Sequence, residues 1–260
     1  MAITINPTTS EADCFAFCGK NIIVNNNKTL PTFTQLSELS KQTTDNIFIE
    51  EKETRICALS IRNENELPAN YEQIPLRTFF YQNDENLISK TSRAKALTEW
   101  INNTRYCNIC GHKLTPHLSL SALHCAHCQN IIFPRIEPCV IVVIKHNDKI
   151  LLARHVQRNQ NIYACIAGFM EAGETPEQAV RREVMEETGL SIKNIKYFGS
   201  QSWPFPSQLM IGFTAEYDSG QIKLQPDEIA EARWFSKTDN IPMPQAGSIA
   251  HQLICNALNI

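Results

Sequence analysis

Short apolar runs separated by polar turns dominate the first 95 residues of the chain. Examples are NIIV at 21–24, IFIE at 47–50 and ICALSI at 56–61. Apolar runs of this length between polar turns are typical of buried β-strands. The pattern therefore predicts a mostly β amino-terminal domain over residues 1–95.

A helical pattern follows and then gives way to a cysteine-rich segment. In the stretch 89–106, Ala94, Leu97 and Ile101 recur at helical spacing on one side. We assign residues 96–135 to a second domain, made of this helix and the cysteine-rich segment. The third domain, residues 136–260, alternates strand and helix signals: CVIVVI, KILLAR, a helix, KYFGSQ, LMIGFTAEY and EARWF.

The helix of the third domain has clear start and stop signals. Thr175 and Gln178 have the spacing of a capping box, and proline occupies the first helical position between them. Gly189 is placed to end the helix in a left-handed conformation. Val180 and Val184 form an apolar pair one turn apart that can face a core.

Three carboxylates share one face of this helix. Glu183, Glu186 and Glu187 lie at i, i+3 and i+4, where like charges repel, and no Lys or Arg follows any of them at i+4. One interpretation is a solvated acidic face. The other is a site for a hard divalent cation, which prefers oxygen ligands. Arg182 can hold Glu174 in a bidentate ion pair and so fix the preceding loop against the helix.

The flanking residues favour the cation site. The segment 168–190, GFMEAGETPEQAVRREVMEETGL, matches every fixed position of the pattern Gx5Ex7REUxEExGU, in which U is aliphatic. It resembles the Nudix box. The resemblance implies a loop-helix-loop whose glutamates bind Mg2+ or Mn2+ for hydrolysis of a nucleoside diphosphate linked to another group. It also implies an α/β fold, an α/β/α sandwich with a mixed sheet.

Composition narrows the range of partners. The 260 residues are 43% hydrophobic, which is ample for packed cores, and the net charge is −3. This charge favours neither a basic nucleic-acid surface nor an anionic membrane as partner. We see no signal peptide and no apolar stretch approaching 18 residues, so we expect a cytoplasmic protein without a membrane partner.

Ten cysteines are present, and four of them have metal-ligand spacing. Two CxxC pairs separated by fourteen residues predict a zinc ribbon with one structural Zn2+ per chain, held by Cys107, Cys110, Cys125 and Cys128. Redox pairs or disulfides are the alternative. Nearby histidines, read as surface or supporting residues, are His112, His117, His124 and His127. Core hydrophobes or free thiols are expected at Cys14, Cys18, Cys57, Cys139, Cys165 and Cys255.

A third motif begins ten residues after the end of the box. The stretch SQSWPFPSQ at 200–208 resembles the SQPWPFPxS signature of the NADH pyrophosphatases, which also carry a four-cysteine ribbon before the Nudix domain. That resemblance implies hydrolysis of NAD(H) to NMN(H) and AMP, removal of NAD caps from RNA 5′ ends, and a homodimer. Trp203 and Phe205 can stack on a base, and Gln201 can bond to an amide or ring edge. The alternative is a stiff loop that buries both aromatics.

Carried over residue by residue, the resemblance makes Glu183, Glu187 and Glu228 metal ligands, assisted by the Ala167 carbonyl, and Glu186 a ligand or the base. The implied substrate contacts are Gln201, Ser202, Trp203, Pro204, Phe205, Pro206, Ser207, Gln208, Phe133, Ala250 and Arg77. Phe169 and Phe133 are stacking candidates with a core alternative. Ser202 replaces a usual proline, and Phe133 replaces a common tyrosine; both departures bear on substrate preference.

The sequence therefore predicts a Mg2+- or Mn2+-dependent diphosphatase for NAD(H) or NAD-capped RNA. Two alternatives stay open. One is a Nudix hydrolase for ADP-ribose or a dinucleoside polyphosphate. The other is a zinc-ribbon nucleic-acid-binding module with an inactive Nudix domain, which the complete set of glutamates disfavours. Redox use of a dinucleotide has no support, because no GxGxxG follows a strand.

Overall fold

A computed structural model describes residues 2–44, 46–156, 161–205 and 207–260. The chain divides into two compact units. Residues 1–135 together with 204–207 form the first, and residues 136–203 together with 208–260 form the second. Each unit has its own sheet and its own buried core.

The first unit is built on a six-stranded sheet, as the apolar runs predict. The strands are β1 (Ile3–Ile5), β2 (Asp13–Cys18), β3 (Asn21–Asn25), β4 (Ile47–Glu51), β5 (Ile56–Ile61) and β6 (Tyr71–Pro75), in the spatial order β1-β4-β5-β2-β3-β6. Only the β2–β5 pair is parallel among these neighbours. The helices of this unit are α1 (Phe33–Gln42), α2 (Leu76–Tyr81) and α3 (Glu85–Asn103).

Helix α3 differs from the sequence prediction in its length and in what it joins. Asp84 caps its amino terminus by accepting from the Leu87 amide, so the helix begins before the predicted start at 89. Ala94, Leu97 and Ile101 are buried, as their spacing predicts. The helix runs across the predicted domain boundary at 95, and residues 1–135 belong to one compact unit.

The cysteine-rich segment forms a small three-stranded sheet within the first unit. Its strands are β7 (Thr115–Pro116), β8 (Leu123–His124) and β9 (Ile131–Ile132), paired antiparallel in chain order. Each of these strands is two residues long, and Leu123 of β8 is buried.

The second unit is an α/β/α sandwich with a mixed sheet, which confirms the predicted fold class. Its strands are β10 (Glu137–His146), β11 (Lys149–His155), β12 (Ile166–Phe169), β13 (Ser191–Trp203), β14 (Gln208–Ser219) and β15 (Ile229–Ser236). The order is β13-β14-β10-β11-β15, and β12 also pairs with β10. The β10–β14 pair is parallel, whereas the other pairs are antiparallel.

Two helices cover the two faces of this sheet. Alternate residues of β10 face α4 (Pro176–Thr188) on one side and α5 (Ile249–Leu258) on the other. Val140 and Val142 lie in the α4 cluster, and Ile141 and Val143 lie in the α5 cluster. This alternation is the period of a strand buried on both faces.

Helix α5 was absent from the sequence prediction, although its signals are present. Ser248 accepts from the His251 amide as N-cap, and the buried residues 249, 253, 254, 257 and 258 follow helical spacing. None of the helices that the structure describes combines the length and hydropathy that a membrane span requires.

Candidate active site

Helix α4 is capped as its sequence predicts. The Thr175 hydroxyl accepts from the Gln178 amide, and the Gln178 side chain accepts from the Thr175 amide at 2.8 Å, which completes the capping box. Gly189 ends the helix at φ 70°, a left-handed conformation that suits glycine. Val180 and Val184 are fully buried under the helix. The face that carries the glutamates is thereby held in one orientation.

Arg182 joins this helix to the loop before it. Its Nε donates to Glu174 Oε1 at 2.6 Å and its Nη2 donates to Oε2 at 2.9 Å, the predicted bidentate pair. Nη2 also donates to the Phe169 carbonyl at 2.9 Å, and the Glu171 amide donates to Glu174 Oε2 at 3.0 Å. The hydrogen bonds from Arg182 lower the pKa of Glu174 to about 2. Glu174 is therefore ionised throughout the physiological range.

The same guanidinium also contacts two of the helical carboxylates. Nη1 donates to Glu183 Oε1 at 2.7 Å and to Glu186 Oε2 at 3.0 Å. Arg182 precedes Glu186 by four residues and relieves part of the repulsion. This contact was not predicted, because only cations four residues after each glutamate were expected to relieve it.

The Glu183 side chain is buried beside the carboxyl-terminal part of β12. Its carboxylate occupies the space next to Gly168, where an added Cβ would lie 1.9 Å from the carboxyl carbon. Only glycine fits that position while Glu183 stays in place. Burial raises the pKa of Glu183, and the charges of Glu186 and Glu228 raise it further, whereas Arg182 lowers it. A cation placed here would relieve this cost of ionisation.

The other predicted ligands lie around Glu183. Glu187 is buried, with 2% of its surface exposed, whereas Glu186 and Glu228 are exposed. Ala167 belongs to β12, next to Gly168, and is half-buried. Oxygen ligands of this kind suit Mg2+ or Mn2+. Among the described residues, the sets of three or more possible ligand atoms within 4.8 Å of one another lie in the cysteine-rich segment, and the box glutamates do not form such a set.

The four cysteines of the first unit do form a compact cluster. Sγ–Sγ distances are 3.5 Å for Cys107–Cys128, 3.4 Å for Cys110–Cys125 and 3.4 Å for Cys110–Cys128. These separations are far longer than a disulfide bond and close to the edge, about 3.8 Å, of a tetrahedral zinc-thiolate site. The amide of Ile109 donates to Cys107 Sγ and lowers the pKa of that thiol. The cluster can hold a tetrahedral metal ion.

Gln201 is engaged with the protein itself. At the end of β13, its Oε1 accepts from the Ile249 amide at 2.9 Å, and its Nε2 donates to the Gly247 carbonyl at 2.8 Å. These bonds tie β13 to the start of α5, where Ala250 is half-buried. The Gln201 side-chain amide therefore positions the end of β13 against the start of α5, a role that was not predicted from the sequence.

The residues after Gln201 form the end of β13, a short turn and the start of β14. Ser202 is exposed and Trp203 is half-buried, and both pair with β14 at Leu209 and Gln208. The turn residues belong to the first unit, where Pro204 is buried and Ser207 is half-buried, and Pro206 lies outside the described residues.

Phe205 is half-buried within the first unit. Its ring packs edge-on against Phe80, with centroids 6.1 Å apart, and the guanidinium of Arg77 lies 5.0 Å from its centroid. The prediction that Arg77 reaches a substrate phosphate stays open. The structure places its charge over an aromatic face.

The two other stacking candidates are on the surface. Phe133 is 59% exposed and Phe169 is 50% exposed, so neither fills a core. The core alternative for these two residues was wrong. Their contact with substrate stays a prediction.

Comparison with known proteins decides the family. Residues 135–255 match the NUDIX domain, a range that includes the whole of 168–190. Over 171 residues the chain is 45% identical to the "NAD-capped RNA hydrolase NudC" of Salmonella typhi and 44% identical to that of Escherichia coli O1:K1 / APEC. Each match covers 66% of this chain and 66% of the relative.

The chain belongs to the Nudix superfamily.

A solved structure agrees with this assignment at the level of the fold. The crystal structure of a NUDIX hydrolase from Nitrosomonas europaea covers 60% of this chain and 90% of its own, with a TM-score of 0.50 and 21% identity. In Nudix terms, α4 is the box helix, Gly168 is the box glycine and Arg182 is the box arginine. The box resemblance inferred from sequence is confirmed.

One wall of a cleft in the Nudix domain was not predicted from the sequence. The segment 221–225, which precedes Glu228, lines a cleft together with Met185 of the box helix. These residues belong to no sequence motif. Only their position in the chain, between the box and Glu228, could have indicated that they lie near the site.

Proposed function

We propose that this chain is a divalent-metal-dependent diphosphatase that hydrolyses the pyrophosphate of NAD(H) to NMN(H) and AMP. We extend the proposal to the removal of NAD caps from RNA 5′ ends. Three features support it: the complete Nudix box, the loop at 200–208, and similarity to relatives named NAD-capped RNA hydrolases. The box helix carries the proposal, because the buried carboxylate of Glu183 lies beside Gly168 and burial disfavours its charged form, a cost that a cation would relieve.

The metal site is proposed from the chemistry of its donors. Glu183, Glu187 and Glu228, with the Ala167 carbonyl, would hold Mg2+ or Mn2+, and Glu186 would be a further ligand or the base. Bound there, the ion would stabilise charge on the phosphoryl oxygens and lower the pKa of water.

The chain's own residues position the reactants. Arg182 fixes the loop at Glu174 and orients Glu183 and Glu186 through Nη1. Glu186 is 52% exposed at its side chain, so it can accept a proton from water that approaches from solvent. Phosphoryl transfer depends mostly on such positioning and on electrostatic stabilisation.

We propose that the loop at 200–208, the substrate loop, holds the nicotinamide end of NAD(H). Gln201 anchors the loop to the start of α5, and Trp203 and Phe205 offer aromatic surfaces, each half-buried. Stacking a base on such a surface is worth about 1–3 kcal/mol. Phe133, Phe169 and Ala250 complete the proposed substrate contacts.

Three further assignments have separate grounds. We propose that the cysteine cluster holds one structural Zn2+ per chain, because four thiolates close a tetrahedral site and leave no position for water. The homodimer and the cytoplasmic location expected from sequence also stay predictions.

A product assay with three substrates tests the proposal. NADH, ADP-ribose and NAD-capped RNA are incubated side by side with the protein and Mg2+ or Mn2+. We expect NMNH and AMP from NADH, and 5′-monophosphate RNA with release of NMN from the capped RNA. Faster turnover of ADP-ribose than of NADH would favour a different Nudix diphosphatase. Hydrolysis of none of the three, with RNA binding intact, would favour a binding module.

A further inference from the structure

A cleft of about 1190 Å³ in the second unit begins at the glutamates and extends along the box helix to Gly189. At one end it is lined by Arg182, Glu183, Glu186 and Glu228. The remaining wall has a different character. It consists of Met185 on α4 and the segment 221–225, with the sequence QIKLQ.

The segment 221–225 is held firmly against the end of α4. The Lys223 amide donates to the Thr188 carbonyl at 2.8 Å, and the Gln225 amide donates to the Glu187 carbonyl at 3.3 Å. Gly189 permits this approach, because an added Cβ would lie only 3.1 Å from Lys223 Cβ. Carbonyls at the carboxyl end of a helix need such partners. The wall is therefore a fixed part of the fold.

The side chains of this wall suit a nucleotide. Met185 is 47% exposed and Ile222 is 38% exposed, which leaves apolar surface for the face of a base. Gln221 and Gln225 offer amide donors and acceptors for base or ribose edges. Lys223 is exposed and adds a positive charge at the end away from the carboxylates.

We propose that this cleft binds the nucleoside monophosphate half of the substrate, the half that leaves as AMP. The inference rests on the proposed function and deepens it. With the phosphate at the glutamates, the adenosine would extend along Met185 and Ile222. The loop at 201–208 would hold the opposite, nicotinamide half. The two halves would thus contact separate parts of the protein on either side of the scissile pyrophosphate.

Two cleft variants test the proposal. Ile222→Ala removes apolar surface, and Ile222→Ala/Lys223→Ala also removes the charge. We expect KM to rise ~3–10-fold in the first variant, below the range for enclosed pockets because Ile222 is partly exposed. In the double variant we expect KM to rise roughly tenfold or more, because loss of an exposed charged contact should raise KM by a further few-fold. kcat should stay nearly parental, because the cleft would bind ground and transition states alike.

The choice of substrates makes the result specific. NADH and ADP-ribose share the AMP half, so KM should rise by the same factor for both. The inhibition constant of AMP itself should rise in parallel. Lys149→Ala, which changes an exposed lysine at the start of β11 outside the cleft, is the matched control and should be parental.

Three outcomes would overturn or separate the proposals. Parental KM and parental AMP inhibition in the double variant would show that the cleft does not bind this half. A rise for NADH alone would assign the cleft to the nicotinamide half and overturn the inference. If the parent hydrolyses neither substrate, the proposed function fails. The Kd of AMP is then measured by calorimetry for the parent and the double variant. A weaker Kd in the double variant would support the cleft as the AMP site, and an equal Kd would overturn it.

Discussion

Arg182 donates to both carboxylate oxygens of Glu174 with Nε and Nη2, while its Nη1 donates to Glu183 and Glu186. One guanidinium therefore fixes the loop before the box helix and orients two of the carboxylates that we propose around the metal. A lysine cannot reproduce this geometry, since an ammonium lacks the planar fork of donors.

Arg182→Lys should keep the fold and weaken the site. Residues that orient metal ligands typically change metal affinity or activity by about 10–100-fold when replaced. We expect a loss of that size in kcat/KM for NADH, with a higher Mg2+ concentration at half-saturation. Arg181→Lys is the control, because Arg181 donates to the Ile192 carbonyl on β13 and contacts none of these carboxylates in the described structure. Parental Mg2+ dependence in Arg182→Lys would contradict the orienting role.

Glu183 makes the metal-free protein sensitive to pH. Burial raises its pKa above the ordinary value, and Glu186 and Glu228 contribute. A carboxyl group with a raised pKa in the folded state contributes stability that is complete below its unfolded pKa and is lost as the pH rises through the folded pKa. In EDTA, Glu183→Gln should therefore gain stability relative to the parent between about pH 4 and neutral pH.

Thermal unfolding across this pH range measures the effect. We expect the Tm of Glu183→Gln to exceed the parental value at neutral pH, and the difference to shrink toward pH 4. Mg2+ should then raise the parental Tm more than that of the variant, because a ligand stabilises only the state that binds it. A variant that is less stable in EDTA at every pH would contradict the desolvation argument.

The sequence predicted the box helix well because its signals are local. The cap at Thr175, the glycine at 189 and the pair Val180–Val184 each act within one or two turns. The bidentate pair of Arg182 with Glu174 was also predictable, because both lie within one motif. The bonds of Arg182 to Glu183 and Glu186 were not predicted because only cations four residues after each glutamate were considered.

The parts that were missed depend on contacts distant in sequence. Gln201 bonds to the backbone at 247 and 249, more than forty residues away, and no pattern near 201 indicates this. The wall at 221–225 depends on carbonyls at the end of α4. The domain boundary placed at 95 stays a prediction, and α3 continues across that position to Asn103. Such features follow from tertiary packing, which composition and periodicity do not encode.

Cys125→Ser should remove the structural Zn2+ that we propose for the cysteine cluster. A closed four-thiolate site contributes folding free energy directly, so losing one thiolate should lower Tm by roughly 10 °C or more. Elemental analysis should find about one zinc per chain in the parent and much less in the variant. Cys255→Ser, which changes a cysteine of α5 outside the cluster, is the control. Equal zinc content and equal Tm in Cys125→Ser and the parent would rule out the ribbon.

Truncation of the aromatic residues tests the substrate loop. Trp203→Ala and Phe205→Ala should raise KM for NADH roughly fivefold to more than a hundredfold, the loss expected for one stacked base, with kcat nearly unchanged. The rise should be smaller for ADP-ribose, which lacks nicotinamide. This pattern differs from the one expected for the cleft at 221–225, where KM should rise by the same factor for both substrates. If both variants keep the parental KM for NADH, the loop is structural and the preference for NAD(H) loses its support.

The central claim is that the carboxylates of the box helix hold the metal that drives hydrolysis of the NAD(H) pyrophosphate. Glu187 is the most buried of them, and Glu187→Gln removes its charge while keeping its shape. The direct test is the rate at which parent and variant convert NADH to NMNH and AMP at saturating Mg2+. We predict equimolar products from the parent and a turnover number about 10²-fold or more lower in the variant, the scale of losing one preorganised electrostatic group. Parental turnover in a folded Glu187→Gln variant would contradict the assignment of the metal site.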